Sequence, residues 1–341
     1  GAAISAAFGA PLTGAFYAFE VVIGAYTPAG IAPVAAACLA AVMVTRSLGM
    51  TPYLIAVPPG VPLVTTDYLI FALLGILAAF FGIGLMRLVS LCEAGFRRLH
   101  YLDRWRPLVG GVLLVPLAWV SPHALSAGHG AMTITLAGGM AIGMLVLVLV
   151  LKSLASVISL ASGFRGGLFF ASLFLGALLG EIFADLLALV PHGPRVDPTD
   201  SALVGMAALA VTVVGGPMTM SLLVLEATHD FAITAVVLTA ALCAGTLARE
   251  RFGFSFSTWR MHMRGETIRT ARDIGWVHGL TARRLMREAP PQALSTLSVD
   301  EFRRKFPLGS TSRVLLHDAA DRYDGIVQTA VVHAAGLASP W

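Results

Sequence analysis

The chain has 341 residues, of which 57% are hydrophobic and only 12% charged, and its net charge is +4. A mean hydropathy of +0.81 excludes an ordinary soluble fold, and the absence of a basic stripe interleaved with aromatics excludes a nucleic-acid partner. The three cysteines, Cys38, Cys92 and Cys243, lie in or beside apolar segments at no spacing that suits a metal or a disulfide framework.

Charge is unevenly spread: residues 1–248 hold 19 of the 42 charged side chains, and residues 249–341 hold 23. A bilayer-spanning helix needs roughly 20 apolar residues, and the windows 31–48, 68–90, 107–120, 134–160, 167–190 and 231–248 approach or meet that. The first 248 residues therefore read as an all-α, multi-helix membrane domain, and the remainder as a soluble appendix. Arg97, Arg98, Arg104 and Arg106 flank one pair of spans, and Arg249, Arg251, Arg260 and Arg264 follow the last one. Such flanks favour the cytoplasmic side.

In chain order, the first motif is "FGAPLTGAFYAFE" at residues 8–20. It returns as "VGGPMTMSLLVLE" at residues 214–226, with Gly9/Gly215, Pro11/Pro217, Leu12/Met218, Thr13/Thr219 and Glu20/Glu226 in register at an offset of 206. Proline suits the first turn of a helix, and small residues allow close packing in lipid. A two-copy membrane domain is a common transporter plan. If the second copy starts near Asp67, roughly 140 residues of the first copy belong upstream of Gly1, so the chain reads as an N-terminally truncated fragment. Glu20 and Glu226 are ionisable groups in apolar surroundings. They are read either as functional residues or as helix caps. Further along, His123 and His129 read as loop residues, Lys152 as a snorkelling cation near the end of a span, and His229 and Asp230 as interfacial.

The stretch "ASGFRGGLFFASLF" at residues 161–174 places three glycines and Arg165 between two oily runs. A helix beginning near Gly167 would point its N-terminus at this break. Its first amides lack intrahelical partners and carry partial positive charge, which suits an anion. Two readings stay open here: a break that lines a cavity, or a loop at the membrane surface with Arg165 snorkelling. With no carboxylate, histidine or cysteine in the loop, metal binding and acid–base catalysis are not expected there. The chain carries no Ser-His-Asp, HExxH, Walker or GxGxxG pattern, so it is not read as an enzyme.

These residues resemble the CLC family of chloride channels and proton/chloride exchangers. "AAFGAPLTGAFYAFE" is similar to the helix after that family's gating segment. "SGFRGGLFF" is similar to its second-half anion loop, written GxFxP, and "VVGGPMTMSLLVLEATHD" to its late interface helix. The resemblance covers about residues 1–265, which leaves residues 266–341 as a linker and tail. It implies an inverted-repeat fold with one anion pathway per subunit of a homodimer, multi-pass in a plasma (inner) membrane with the tail cytoplasmic. It implies chloride or a similar small anion as the transported ion, and no cofactor. Carried over, the chloride-binding positions are Gly166, Gly167, Leu168 and Phe169, with the family's proline replaced by Ala171. A family tyrosine hydroxyl falls on Ser257, and Phe256 and Arg165 fall at the pathway mouth. The internal proton-accepting glutamate of the exchangers falls on Val21, which carries no proton; this favours a passive channel over the alternative, a proton-coupled antiporter. Pro11, Gly14, Pro217 and Met220 fall on the implied dimer interface. A more distant alternative, a cation transporter regulated by its tail, would need an acid-lined pore, and the membrane domain has few acids.

In the tail, "SVDEFRRKFP" reads as a short amphipathic helix, "SRVLLHD" as a strand, "AADRYDG" as a turn and "GIVQTA" as the start of another strand. This resembles the first part of a CBS domain. No phosphate-loop signal is present, so an adenine nucleotide partner is not expected.

Overall fold

The computed structural model describes residues 1–50, 63–98, 105–125, 140–164, 166–191, 193–263, 280–281 and 291–334. The chain forms two compact units, Gly1–Gly275 and Trp276–Trp341. The boundary expected at 265/266, Arg165, His129 and all of the segment "VHGLTARRLM" except Leu280 and Thr281 lie outside the described residues.

The first unit is helical among its described residues. It begins with α1 (Ala2–Phe8), which ends on Gly9 in the left-handed region (φ 66°) and turns into α2 (Pro11–Tyr17) with Pro11 in the first turn. The chain widens into a π turn over Ala18–Ile23 and stops at Gly24. Then come α3 (Pro28–Ser47), α4 (Thr65–Arg98), α5 (Arg106–Val120) with a 3-10 turn at Pro122–Ala124, α6 (Ile142–Ala161) and α7 (Phe169–Ala188). Last are α8 (Pro198–Val214), α9 (Pro217–Thr228), α10 (Phe231–Arg251) and α11 (Phe256–Met263). Among the described residues, five candidate spans are long and apolar enough to cross a membrane: Pro28–Ser47, Thr65–Arg98, Ile142–Ala161, Phe169–Ala188 and Phe231–Met263.

The centre of this unit is α8, in which every residue from Asp200 to Val213 is buried. Against it lies α7, running the opposite way. Gly176 faces Gly205, and a Cβ added at Gly180 would overlap the carbonyl of Ser201. Glycine at these crossings lets two backbones touch, which is how helices gain contact where lipid is as apolar as the core. On the other side, α4 and α10 run parallel. Phe71 and Leu74 share a cluster with Ile233, Val236 and Ala240, and Ala78 and Ala79 share one with Ala244.

The parallel helices sort charge to the two ends. At one end, Asp67 accepts from the Val64 amide (2.7 Å), Asp197 from that of Thr199 (2.8 Å) and Asp230 from that of Ala232 (2.7 Å). The carboxylates of Asp197, Asp230 and Asp67 lie near enough to act electrostatically on Asp200. The other end carries Arg97 and Arg98 of α4 and Arg249 and Arg251 of α10. Acids at helix N-termini and arginines at C-termini each match the sign of the local dipole.

In the second unit, β1 (Gln292–Leu294) pairs parallel with β2 (Arg313–His317), and β2 pairs antiparallel with β3 (Tyr323–Gln328). Ser298 caps α12 (Val299–Lys305), and α13 spans Thr329–His333. Val299, Phe302, Phe306, Val314, Leu316 and Val332 make the core. The helix, both strands and the turn read from the sequence are present. The second of those strands starts earlier, at Tyr323, and gives way to helix at Thr329. The turn is built on Asp318, which accepts from the amides of Ala320 and Arg322 (2.9 Å each) and pairs with the Arg322 guanidinium at 2.9 Å.

Candidate functional site

Between α6 and α7 the helix stops. Ser162 caps α6, Gly163 takes φ +94°, and regular structure resumes only at Phe169, with Leu168 as the preceding half-helical residue. The sequence placed the helix start near Gly167; it falls two residues later. The Leu168 and Phe169 amides make no hydrogen bond to a described residue, as the first turn of any helix dictates. Gly166 and Gly167 are exposed, and a Cβ added to either would meet no atom within 4 Å. Neither needs to be glycine for φ or for packing against the described residues.

Aromatic rings fix the start of α7. Phe170 stacks on Phe8 (5.4 Å), and Phe169 meets Phe8 (6.1 Å) and Tyr17 (5.9 Å) edge-on. The first motif thus holds the loop through the ends of α1 and α2. From the other side, Phe256 is buried in the cluster that contains Leu168, Ala171 and Leu175. This brings the start of α11, and with it the exposed Ser257, to the neighbourhood of the break. Phe256 itself packs into the core.

The two motif glutamates form a reciprocal clasp. Glu226 accepts from the Leu12 amide (2.9 Å), the Thr13 amide (2.7 Å) and the Thr13 hydroxyl (2.6 Å). Glu20 accepts from the Met218 amide (3.2 Å), the Thr219 amide (2.8 Å) and the Thr219 hydroxyl (2.7 Å). Each carboxylate caps the N-terminus of the other copy's helix, so α2 and α9 lie antiparallel and the 206-residue register becomes a pseudo-two-fold exchange. Of the two roles open for these residues, the structure gives capping. Val21 follows Glu20 in the π turn and faces Gly216.

Two expectations need correction. Gly14 and Met220, read as interface positions, face inward. A Cβ on Gly14 would overlap Ser5 of α1, and Met220 is wholly buried in the core cluster. In an apolar helix the lipid side and the core side have the same composition, so spacing alone does not orient it. The exposed residues of this helix pair are the repeat-related Leu12 and Met218, 53% and 39% exposed, beside the half-buried Pro11 and Pro217. Lys152 does not snorkel: it is 2% exposed, and its ammonium donates to the carbonyls of Ala124 (3.3 Å) and Leu125 (3.5 Å). A cation there satisfies carbonyls at the end of the 3-10 turn.

A broken helix that starts at a glycine loop, beside a clasped pair of antiparallel repeat helices and several apolar helices long enough to cross a bilayer, defines a repeat-built membrane protein. The chain belongs to the voltage gated chloride channel family, whose profile matches residues 1–249. Members of this family are ion channels or transporters, not enzymes. The chain is 26% identical over 250 residues to the voltage-gated ClC-type chloride channel ClcB of Escherichia coli (strain SMS-3-5 / SECEC). That match covers 73% of this chain and 60% of the relative, so the chain spans about 60% of the length of the curated relatives it matches. In fold it resembles the crystal structure of a CLC-type fluoride/proton antiporter (TM-score 0.61, 19% identity, 71% of this chain and 60% of that one). It also resembles a eukaryotic CLC transporter (TM-score 0.61, 21% identity, 93% and 56%).

Proposed function

We propose that this chain is part of a membrane protein that passes chloride or a similar small anion, with the anion seated on the amides of Leu168 and Phe169 at the start of α7. One observation carries this reading. Gly166 and Gly167 stand exposed before a helix N-terminus, with nothing among the described residues that requires glycine at either place. Glycine lets a ligand approach the backbone, and a helix start favours negative charge. Fixed dipoles without a full compensating cation hold an anion weakly enough for it to leave. Ser257 is the hydroxyl proposed to face the same anion, and Arg165 the charge at its mouth.

Within the family we favour passive conduction. By the family resemblance Val21 falls at the position of an exchanger's internal proton acceptor, and valine cannot titrate; the neighbouring Glu20 is engaged as the α9 cap. A second reading, proton-coupled exchange, is favoured by one fold neighbour, a CLC-type fluoride/proton antiporter. Liposomes carrying the full-length protein, with chloride efflux and internal pH recorded together, distinguish the two. Channel activity gives chloride flux with no coupled proton movement; proton uphill movement driven by chloride overturns the channel reading. Gly166→Val and Gly167→Val test the site itself. They add side chains into open space, so thermal stability stays unchanged while chloride flux falls. Undiminished flux would remove the loop from the pathway.

Three further parts of the reading follow from charge and exposure. The arginine end of α4 and α10 is the cytoplasmic one by the positive-inside rule, which sets the second unit on that side. The membrane is a bacterial plasma membrane. The partner is a second copy, meeting this one across Leu12 and Met218 rather than Gly14 and Met220.

A further inference from the structure

The outward face of α4 carries a single stripe, Leu69, Leu73, Phe80, Gly84, Arg87 and Leu91, all exposed and spaced by three, four or seven residues. From Leu69 to Arg87 the helix rises about 27 Å at ~1.5 Å per residue, close to a hydrocarbon thickness of ~30 Å. Arg87 therefore emerges at headgroup level on the arginine side. Its guanidinium lies 6.0 Å from the Phe252 ring centroid. Beside it, Trp259 donates from Nε1 to the Ser90 hydroxyl and packs on Phe252 (4.8 Å) and Phe254 (5.4 Å). One residue on, Arg260 lies 5.8 Å from the Phe256 ring. Arg249 and Arg251, both exposed, end α10 just before Phe252.

Among the described residues, none of Arg87, Arg249, Arg251 and Arg260 has a carboxylate within ion-pair distance, although Glu250 lies between two of them and Glu93 two turns along α4. Arg87 on this aromatic platform, with Arg260 on the neighbouring Phe256 and the exposed Arg249 and Arg251 close by in sequence, favours an anion, and the planar guanidinium matches phosphate oxygens in pairs. The apolar stripe running from Arg87 into the bilayer selects among phosphates. A free ion would use only the arginines, whereas an amphiphile would use both surfaces.

We infer that Arg87, on the platform of Phe252 and Trp259, and Arg260, beside the adjoining Phe256, seat the phosphate of an anionic phospholipid from the arginine-side leaflet, with its acyl chain along Gly84 and Phe80 of α4. The test uses the full-length protein in mild detergent, with thermal unfolding followed as phosphatidylglycerol, phosphatidylcholine or inorganic phosphate is added. Phosphatidylglycerol raises the midpoint saturably and the other two do not. In the double variant Arg87→Gln/Arg260→Gln the concentration for half effect rises about tenfold. Arg195→Gln, two residues before the Asp197 cap at the other end, leaves it unchanged. The unfolding midpoint in phosphatidylcholine shows that each variant is folded. Equal effects of the two lipids, reproduction of the shift by inorganic phosphate, or a double variant that titrates like the native protein would each overturn the inference.

Discussion

The clasp between α2 and α9 gives the most direct test of how the two motif copies are held. Glu226→Ala removes three acceptor contacts from the start of α2, two of them at 2.6 and 2.7 Å, and leaves the Leu12 and Thr13 amides without a partner. Hydrogen bonds to a charged group contribute about 1.5–3 kcal/mol each, and an N-cap loss costs ~1 kcal/mol. Contributions of several bonds to one carboxylate are not additive, and the expected net cost is about 2–4 kcal/mol. For a unit of this size that is a fall of roughly 5–10 °C in the unfolding midpoint. Glu20→Ala removes the equivalent contacts at Met218 and Thr219 and should cost about the same. Because both carboxylates brace one helix pair, the double variant should lose less than the sum, with a coupling of about 1 kcal/mol. Thermal unfolding in detergent of the native protein, both single variants and the double variant completes the cycle. Single-variant losses under about 0.5 kcal/mol, or strict additivity, would refute the reasoning.

Gly180→Ala presses a methyl into the Ser201 carbonyl, which α8 holds rigid; the overpacking cost of about 1–3 kcal/mol should exceed the gain of ~1 kcal/mol in helix propensity. Gly84→Ala, with open space around it, should keep that gain, and thermal unfolding compares the two. Lys152→Met strips the donor from the Ala124 and Leu125 carbonyls, so hydrogen exchange at the amides of Ala124 and Leu125 should accelerate while that of α8 does not. In the tail, the backbone amide of Arg322, followed by its side chain, holds the Asp318 carboxyl below its usual 3.8. A lowered folded-state value stabilises above the unfolded value and loses that effect as pH falls through the folded one. Exchange protection at Ala320 and Arg322 should therefore persist at neutral pH and vanish in acid below 3.8, and Asp318→Asn should remove the pH dependence.

Apolar run length made most of the long helices legible, along with the helix break at residues 162–168, because a bilayer imposes one length scale on every span. The innermost helix, α8, escaped that criterion. It has 17 residues, is enclosed by protein rather than lipid, and so need not match the bilayer. The 206-residue register of Glu20 and Glu226 was visible, but not their exchange of partners. A repeat in sequence says nothing about direction, and only the antiparallel arrangement brings each carboxylate to the other copy's amides. Helix faces were the least legible feature, as Gly14 and Met220 show: when solvent is lipid, no polar side marks the outside. Lys152 failed for a related reason, since its partners are backbone carbonyls, which every residue has.

The clasp also sets a schedule for biosynthesis. The Thr13 amide meets its carboxylate 213 residues later in the chain, and at 5–20 residues per second a ribosome needs roughly 10–40 seconds to cover that distance. During that interval α2 is already made while its first amides have no permanent acceptor. The nascent helix must therefore wait beside water, lipid headgroups or the insertion machinery until α9 arrives. A stall or deletion anywhere between the two motifs would leave it without that acceptor.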